Sequence, residues 1–287
     1  MEDIGGALKR VEERLKESGI EDAATEALFM AASASGVRPP VVFTIRDKKL
    51  KDSEKEILEG WIERRILREP LQYILGETEF YGYLIKVTPD VLIPRPETEE
   101  IIDETLRILK GVKNPLILDL CAGSGCIAIA IAKEIPRSRI IATDSSGKAI
   151  LIAEENAVLN GVDKEITFLE GDLFAPLKAS GFEFSFDLIA SNPPYIKTSD
   201  METLPPEVRL HEPRTALDGG SDGLTLIRRI IADAPGYLKP LGVLLMELGF
   251  DEAEEVKRIV SDTGLYGSFE IKKDLEGVDR ILKAIAK

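Results

Sequence analysis

Asn192, Pro193, Pro194 and Tyr195 follow directly on the apolar run FDLIA and its Ser191. Two consecutive prolines suit neither a helix interior nor a central strand, so the chain must bend here. A bend at the carboxyl end of a strand is where α/β enzymes hold their ligands. The Asn192 side-chain oxygen and the Pro193 carbonyl together offer two acceptors, enough for both hydrogens of a planar NH2. Gripping those hydrogens would turn the lone pair of an amide or ring-conjugated nitrogen toward an incoming methyl group. It would also stabilise the positive charge that grows on that nitrogen. The prolines set the acceptors rigidly in advance, and Tyr195 offers a flat face to a planar group. No ionised base is required, because the proton can leave after the methyl has moved. The bland alternative is a surface turn.

A second set lies upstream. LDLCAGSGCIAIA puts Gly123 and Gly125 between a buried strand and a buried helix. Such glycines let backbone approach a ligand, and the N–H groups of the helix start favour electronegative atoms. Asp144 ends the next strand, where its carboxylate could accept from two ribose hydroxyls. Asp172 ends the third and could meet an adenine amino group or its water. Gly123, Gly125 and Ala128 also fit G-x-G-x-x-A with an acid about twenty residues on, so the turn alone does not separate NAD from S-adenosylmethionine. Cys121 and Cys126 make neither a disulfide framework nor a zinc set, and read as small apolar residues.

Other polar residues carry weaker signals. His211 is the sole histidine and reads as a loop residue. Glu212 and Arg214 are either a loop ion pair or a device that orders a lid over the substrate. Glu97 and Glu99 suit the start of a helix, ETEEIIDETLRIL. Phe80, Tyr81 and Tyr83 are a packing cluster or part of a docking surface.

These groups need a scaffold. Leu8, Val11 and Leu15 form an amphipathic stripe, EDAATEALFMAASAS is a second helix ending at Gly36, and RPP breaks the chain. Ser53 is the expected N-cap of a helix that stops at Pro70, with Ile57, Trp61 and Ile62 on its apolar side. TEFYGYLIKVTPDVLIP reads as a hairpin. From there short apolar runs alternate with helical patterns, which means βαβ units and a mostly parallel sheet. SFEIKKDLEGVDRILKAIA adds two strands as an antiparallel edge. DEAEEVKRIV reads as a helix with a solvated face.

The chain has 287 residues, 44% hydrophobic and 31% charged, enough for one large domain or two smaller ones. A net charge of −14 argues against a protein that grips nucleic acid through phosphates. No apolar run spans a bilayer, and MEDIGGALKRVEERL lacks a basic stretch followed by an apolar one. A cytoplasmic protein with no membrane association and no bound metal is expected.

Taken together, REPLQYILGETEFYG, VLIPRPETE, the glycine turn, SNPPYI, EPRTALDGGSDGL and KDLEGVDRIL resemble the protein-glutamine N5-methyltransferases of the HemK/PrmC family. PRPETE and EPRTALDGG are the diagnostic parts, and the likeness covers nearly the whole length. The resemblance implies an α/β, Rossmann-like class I S-adenosylmethionine-dependent methyltransferase domain over residues 94–287. It also implies a helical substrate-recognition domain over 1–76 and a hairpin linker over 77–93. The implied reaction methylates the glutamine of the Gly-Gly-Gln motif in class 1 peptide chain release factors, leaving S-adenosylhomocysteine. By position, Asn192, Pro193, Pro194, Tyr195 and Glu212 would meet the substrate. Asp119, Cys121, Ala122, Gly123, Gly125, Asp144, Ser145, Asp172, Leu173 and Asn192 would line the cofactor, walled by Arg95 and Thr98. Cys121 and Ala122 depart from the commoner Gly-Thr or Gly-Ala, and neither side chain need face the ligand. A monomer without direct nucleic-acid contact is expected. Three other readings compete: an N6-adenine DNA or RNA methyltransferase using the same NPPY bend, a binding module that has lost its cofactor, and a dehydrogenase.

Overall fold

The computed structural model describes residues 2–179 and 185–287. The chain forms two compact units, one of Met1–Gly76 with Pro205–His211 and one of Glu77–Leu204 with Glu212–Lys287. The hairpin thus belongs to the same unit as the sheet.

The first unit is helical. The helix Ile4–Glu17 buries Ile4, Ala7, Val11 and Leu15. Leu8, expected in that stripe, sits half-buried at its edge. Against this face pack Ala27 and Met30 of the helix Ala23–Ala34 and Leu58 and Ile62 of the helix Asp52–Ile66. RPP does not simply break the chain: Pro39 and Pro40 open a one-turn helix, where proline's missing N–H costs nothing. Ser53 is not the cap of Asp52–Ile66. The helix starts two residues earlier than such a cap would place it, with Lys51 at the N-cap, and the Glu54 carboxylate reaches back to the Lys51 N–H at 2.8 Å. Ile57 also faces outward, because Leu58, Ile62 and Arg65 hold the inner positions at helical spacing. Arg65 is buried, and its guanidinium binds Glu26 at 2.7 Å and Glu207 at 3.1 Å. Removal of one partner from such a pair leaves an uncompensated charge and costs roughly 3–5 kcal/mol.

In the second unit, strands β1 (Glu77–Phe80) and β2 (Tyr83–Lys86) form the expected hairpin. Phe80 is buried, while the Tyr81 hydroxyl donates to Asp103 and the Tyr83 hydroxyl to Glu134. Phe80 is thus packed into the unit, whereas Tyr81 and Tyr83 stay half-buried with their hydroxyls at the surface. Among the described residues nine further strands follow: β3 (Leu116–Leu120), β4 (Arg139–Asp144), β5 (Ile166–Glu170), β6 (Phe186–Ser191), β7 (Ile196–Lys197), β8 (Asp218–Gly220), β9 (Leu238–Glu247), β10 (Tyr266–Lys273) and β11 (Asp279–Ala286). The main sheet has the order β10-β11-β9-β6-β3-β4-β5. It is parallel from β9 to β5, and β11 and β10 form the antiparallel edge. The fold class read from the alternation is the one observed.

The helix Cys126–Glu134 is buried from Cys126 to Ala132, as an apolar segment packed on a sheet must be. Phe174, Phe186, Ile189, Ile230 and Leu244 belong to the core of this unit. Register places the functional end. Leu120 of β3 pairs with Thr143 and Ser191, and Ser191 pairs with Met246. The strands β4, β3, β6 and β9 therefore finish level, and the residues just beyond them share one rim. Among the described residues, no helix is long and apolar enough to cross a membrane.

Candidate active site

On this rim the chain leaves β3 through a turn in which Cys121 and Gly123 take positive φ, 61° and 53°. Gly125 packs so closely that an added Cβ would sit 3.0 Å from that of Ala153. Asp144, at the end of β4, holds the turn from the side. Its Oδ2 accepts from the Gly123 N–H and its Oδ1 from the Ser146 N–H, each at 2.8 Å. Burial pushes its pKa up, against the pull of those N–H groups. Each carboxylate oxygen keeps a further lone pair for a ligand hydroxyl.

A cleft of about 680 Å³ opens over the turn. Cys121, Gly123, Asp144, Ser145, Asp172, Leu173, Asn192 and Pro194 line it, together with Val91 and Leu92. A smaller cavity of about 360 Å³ adjoins it, lined by Arg95, Thr98, Ala122, Cys126 and again Cys121, Gly123 and Asn192. Asn192 thus stands where the two meet, and the proline bend faces the glycine turn. Cys121 lines both cavities and also packs against the core, where burial pushes its thiol pKa up.

Several expected residues take other places. Asp119 is fully buried and lines neither cavity; its Oδ2 accepts from the Ala128 N–H at 3.1 Å, bracing the helix start, and its Oδ1 has no partner. Asp172 reaches the cleft, but both its oxygens accept from Arg229, at 3.1 and 2.6 Å. Glu212 is buried and accepts from Arg95 at 2.5 Å and from the Ile93 N–H at 3.4 Å, so it fastens the IPRP segment. Its neighbour Arg214 pairs instead with Asp218 at 3.2 Å. Glu99 accepts from the Tyr81 N–H at 2.7 Å and so secures the hairpin turn.

The bend itself is held from below. The Asn192 amide nitrogen donates to the Thr98 hydroxyl at 3.0 Å, and that hydroxyl donates to Glu247 at 2.7 Å. The Tyr195 hydroxyl donates to the other oxygen of Glu247 at 3.1 Å. Pro193 is buried, and neither it nor Tyr195 lines the two cavities. Behind the bend β7 pairs with β8, and Gly223 comes so near that a Cβ there would lie 2.4 Å from the Tyr195 carbonyl. Glu247 escaped the sequence reading. Its one signal was an acid closing the apolar run GVLLME, and only the β6–β9 register sets it beside Asn192.

Comparison with known proteins gives the same outline. Residues 6–76 match the PrmC N-terminal domain model, and residues 102–248 match the methyltransferase small domain. A release factor glutamine methyltransferase from Geobacter sulfurreducens is 45% identical over 268 residues, 93% of this chain and 91% of its own length. The chain belongs to the release factor glutamine methyltransferase family. Another member, from Thermodesulfovibrio yellowstonii, is 43% identical over 82% of each chain. Among solved structures, the catalytic domain of hMettl16 in complex with the MAT2A 3′UTR hairpin 1 superposes with a TM-score of 0.60, covering 83% of this chain and 81% of that one. At 15% identity this likeness is one of fold.

Proposed function

We propose that the protein transfers a methyl group from S-adenosylmethionine to the side-chain amide nitrogen, N5, of the glutamine in the Gly-Gly-Gln motif of peptide chain release factors. The observation that carries this reading is the placement of Asn192 on one rim with Gly123 and Asp144, where two cavities join. The residues suit the cofactor: the floor of the cleft is a glycine turn, and a carboxylate stands at the next strand end. Asp144 would hold ribose hydroxyls, Gly123 and Cys121 would lie under the ligand, and Leu173 and Leu226 would supply apolar wall. When bound, S-adenosylmethionine supplies an electrophilic methyl on sulfonium.

The protein's own contribution is to the acceptor. An amide nitrogen is a poor nucleophile because its lone pair is delocalised. Asn192 Oδ1 would accept one of its hydrogens and, as the family motif implies although Pro193 lines neither cavity here, the Pro193 carbonyl the other, which turns the lone pair toward the methyl and stabilises charge as it develops. The helical unit is assigned to recognition of the release factor and the second unit to chemistry. The protein would act as a cytoplasmic monomer.

The test uses labelled S-adenosylmethionine with a release factor, its Gly-Gly-Ala variant, or DNA. Label is expected on the intact release factor alone. Asn192→Ala should fold and still bind cofactor yet lose about 10²–10³ in turnover, as on removal of one oriented charge-stabilising group. Label on DNA and not on the release factor would replace this reading with an adenine methyltransferase.

A further inference from the structure

The sense in which the Asn192 amide points decides whether it can work. Rotated by half a turn, it offers N–H donors where the acceptor's hydrogens require an oxygen. Three bonds set that rotation. Glu247 is buried at the end of β9 and accepts hydrogen bonds from both the Thr98 and the Tyr195 hydroxyls, at 2.7 and 3.1 Å. A hydroxyl has one proton. With Glu247 ionised, a form that burial opposes and that the Thr98 and Tyr195 hydroxyls and Arg280 favour, Thr98 gives its own proton to Glu247, so toward Asn192 its oxygen can only accept. Asn192 accordingly presents its NH2 to Thr98, at 3.0 Å, and turns Oδ1 to the opposite side.

We propose that Glu247 is a positioning residue that, through the Thr98 hydroxyl, fixes the donor–acceptor sense of Asn192 for methyl transfer. This rests on the function proposed above. It gives Thr98 a task other than walling the cofactor, and it explains why a carboxylate is buried among hydroxyls at the strand end. The same carboxylate tethers Tyr195, so one group steadies both ends of the NPPY bend.

Thr98→Val removes the hydroxyl at nearly constant shape, and Thr98→Ser keeps it. Thr98→Val is expected to lower kcat by about 10²-fold, the scale of one oriented group. Its KM for the release factor and its affinity for S-adenosylmethionine should stay within roughly threefold of wild type, because binding is left intact. Thr98→Ser should restore turnover. Adding Thr98→Val to Asn192→Ala should slow the enzyme no further, since a residue acting only through Asn192 then has nothing to act on. In the ligand-free protein, the hydrogen-bonded Asn192 side-chain N–H resonance should lose its downfield shift in Thr98→Val and keep it in Thr98→Ser. Undiminished kcat in Thr98→Val, an equal fall in Thr98→Ser, or full additivity with Asn192→Ala would overturn the proposal. Should Thr98→Val fail to melt cooperatively, Glu247→Gln takes its place: a lower kcat that is not additive with Asn192→Ala supports the relay, and wild-type kcat overturns it. If the wild type methylates no release factor, the functional reading falls, and the Asn192 resonance alone decides the relay.

Discussion

A carboxyl group removed from solvent gives up its proton reluctantly, and Asp119 is such a group. It is fully buried with one oxygen unpartnered, and burial pushes its pKa up to about 8, only partly offset by the Ala128 N–H. The folded state therefore takes up a proton that the unfolded chain has released over a wide pH range. The sign follows by linkage: this contribution is complete below the unfolded pKa of 3.8 and is lost as pH rises through about 8. In ligand-free protein, the denaturant midpoint of the wild type should fall between about pH 6 and pH 9, and that of Asp119→Asn should fall less. Equal slopes in the two proteins would show that Asp119 is ionised in the fold. Asp172 sits at a partly exposed rim, where Arg229 takes both of its oxygens.

At the scale of elements, the NPPY bend depends on what packs behind it. β7 and β8 are short, and the loop after β8 approaches through Gly223 at φ 81°. A side chain there would meet both the Tyr195 carbonyl, at 2.4 Å, and the Glu252 carboxylate, at 2.6 Å. Gly223→Ala is expected to push the bend toward the cleft, costing about 1–3 kcal/mol as overpacking does. Turnover should fall by about tenfold or more, because reacting groups tolerate little misplacement. Thermal melts and methyl-transfer assays on the same preparation check both; an unaltered kcat would mean that the loop does not brace the bend. The hairpin is anchored comparably, by Asn156, which accepts from the Lys86 N–H at 2.7 Å and donates to the carbonyls of Lys86 and Ser124 at 3.0 Å. One buried amide so links the hairpin to the glycine turn.

For the whole molecule, the division into two units has an energetic basis. The helical core, from Ile4 through Val11, Leu15, Met30, Leu58 and Ile62 to Ile74, draws on residues of the first 76 alone. A domain of that size buries a smaller share of its surface than a large one, yet enough to fold. Residues 1–76 are expected to melt cooperatively by circular dichroism when expressed alone. A featureless, gradual loss of helix would show that this core is not self-sufficient. Removal of the same residues should raise the KM for the release factor while leaving affinity for S-adenosylmethionine unchanged, if recognition resides in the helices.

Much of this protein is written in short stretches. The proline bend, the glycine turn, the hairpin and the alternation of strand and helix all follow from local backbone restrictions and from periodicities of two and 3.6 residues, which a sequence displays directly. Family motifs extended that reading to a fold and a reaction. Partners for charged and polar groups lie elsewhere. Thr98 and Glu247 are 149 residues apart, Asn192 and Thr98 are 94 apart, and Arg229 lies 57 from Asp172. Nothing in chain spacing tells which strands finish level, so neither the support beneath Asn192 nor the capture of Asp172 was visible before the sheet closed. Those pairings belong to tertiary structure, because strand register and desolvation are set only when distant segments are packed together.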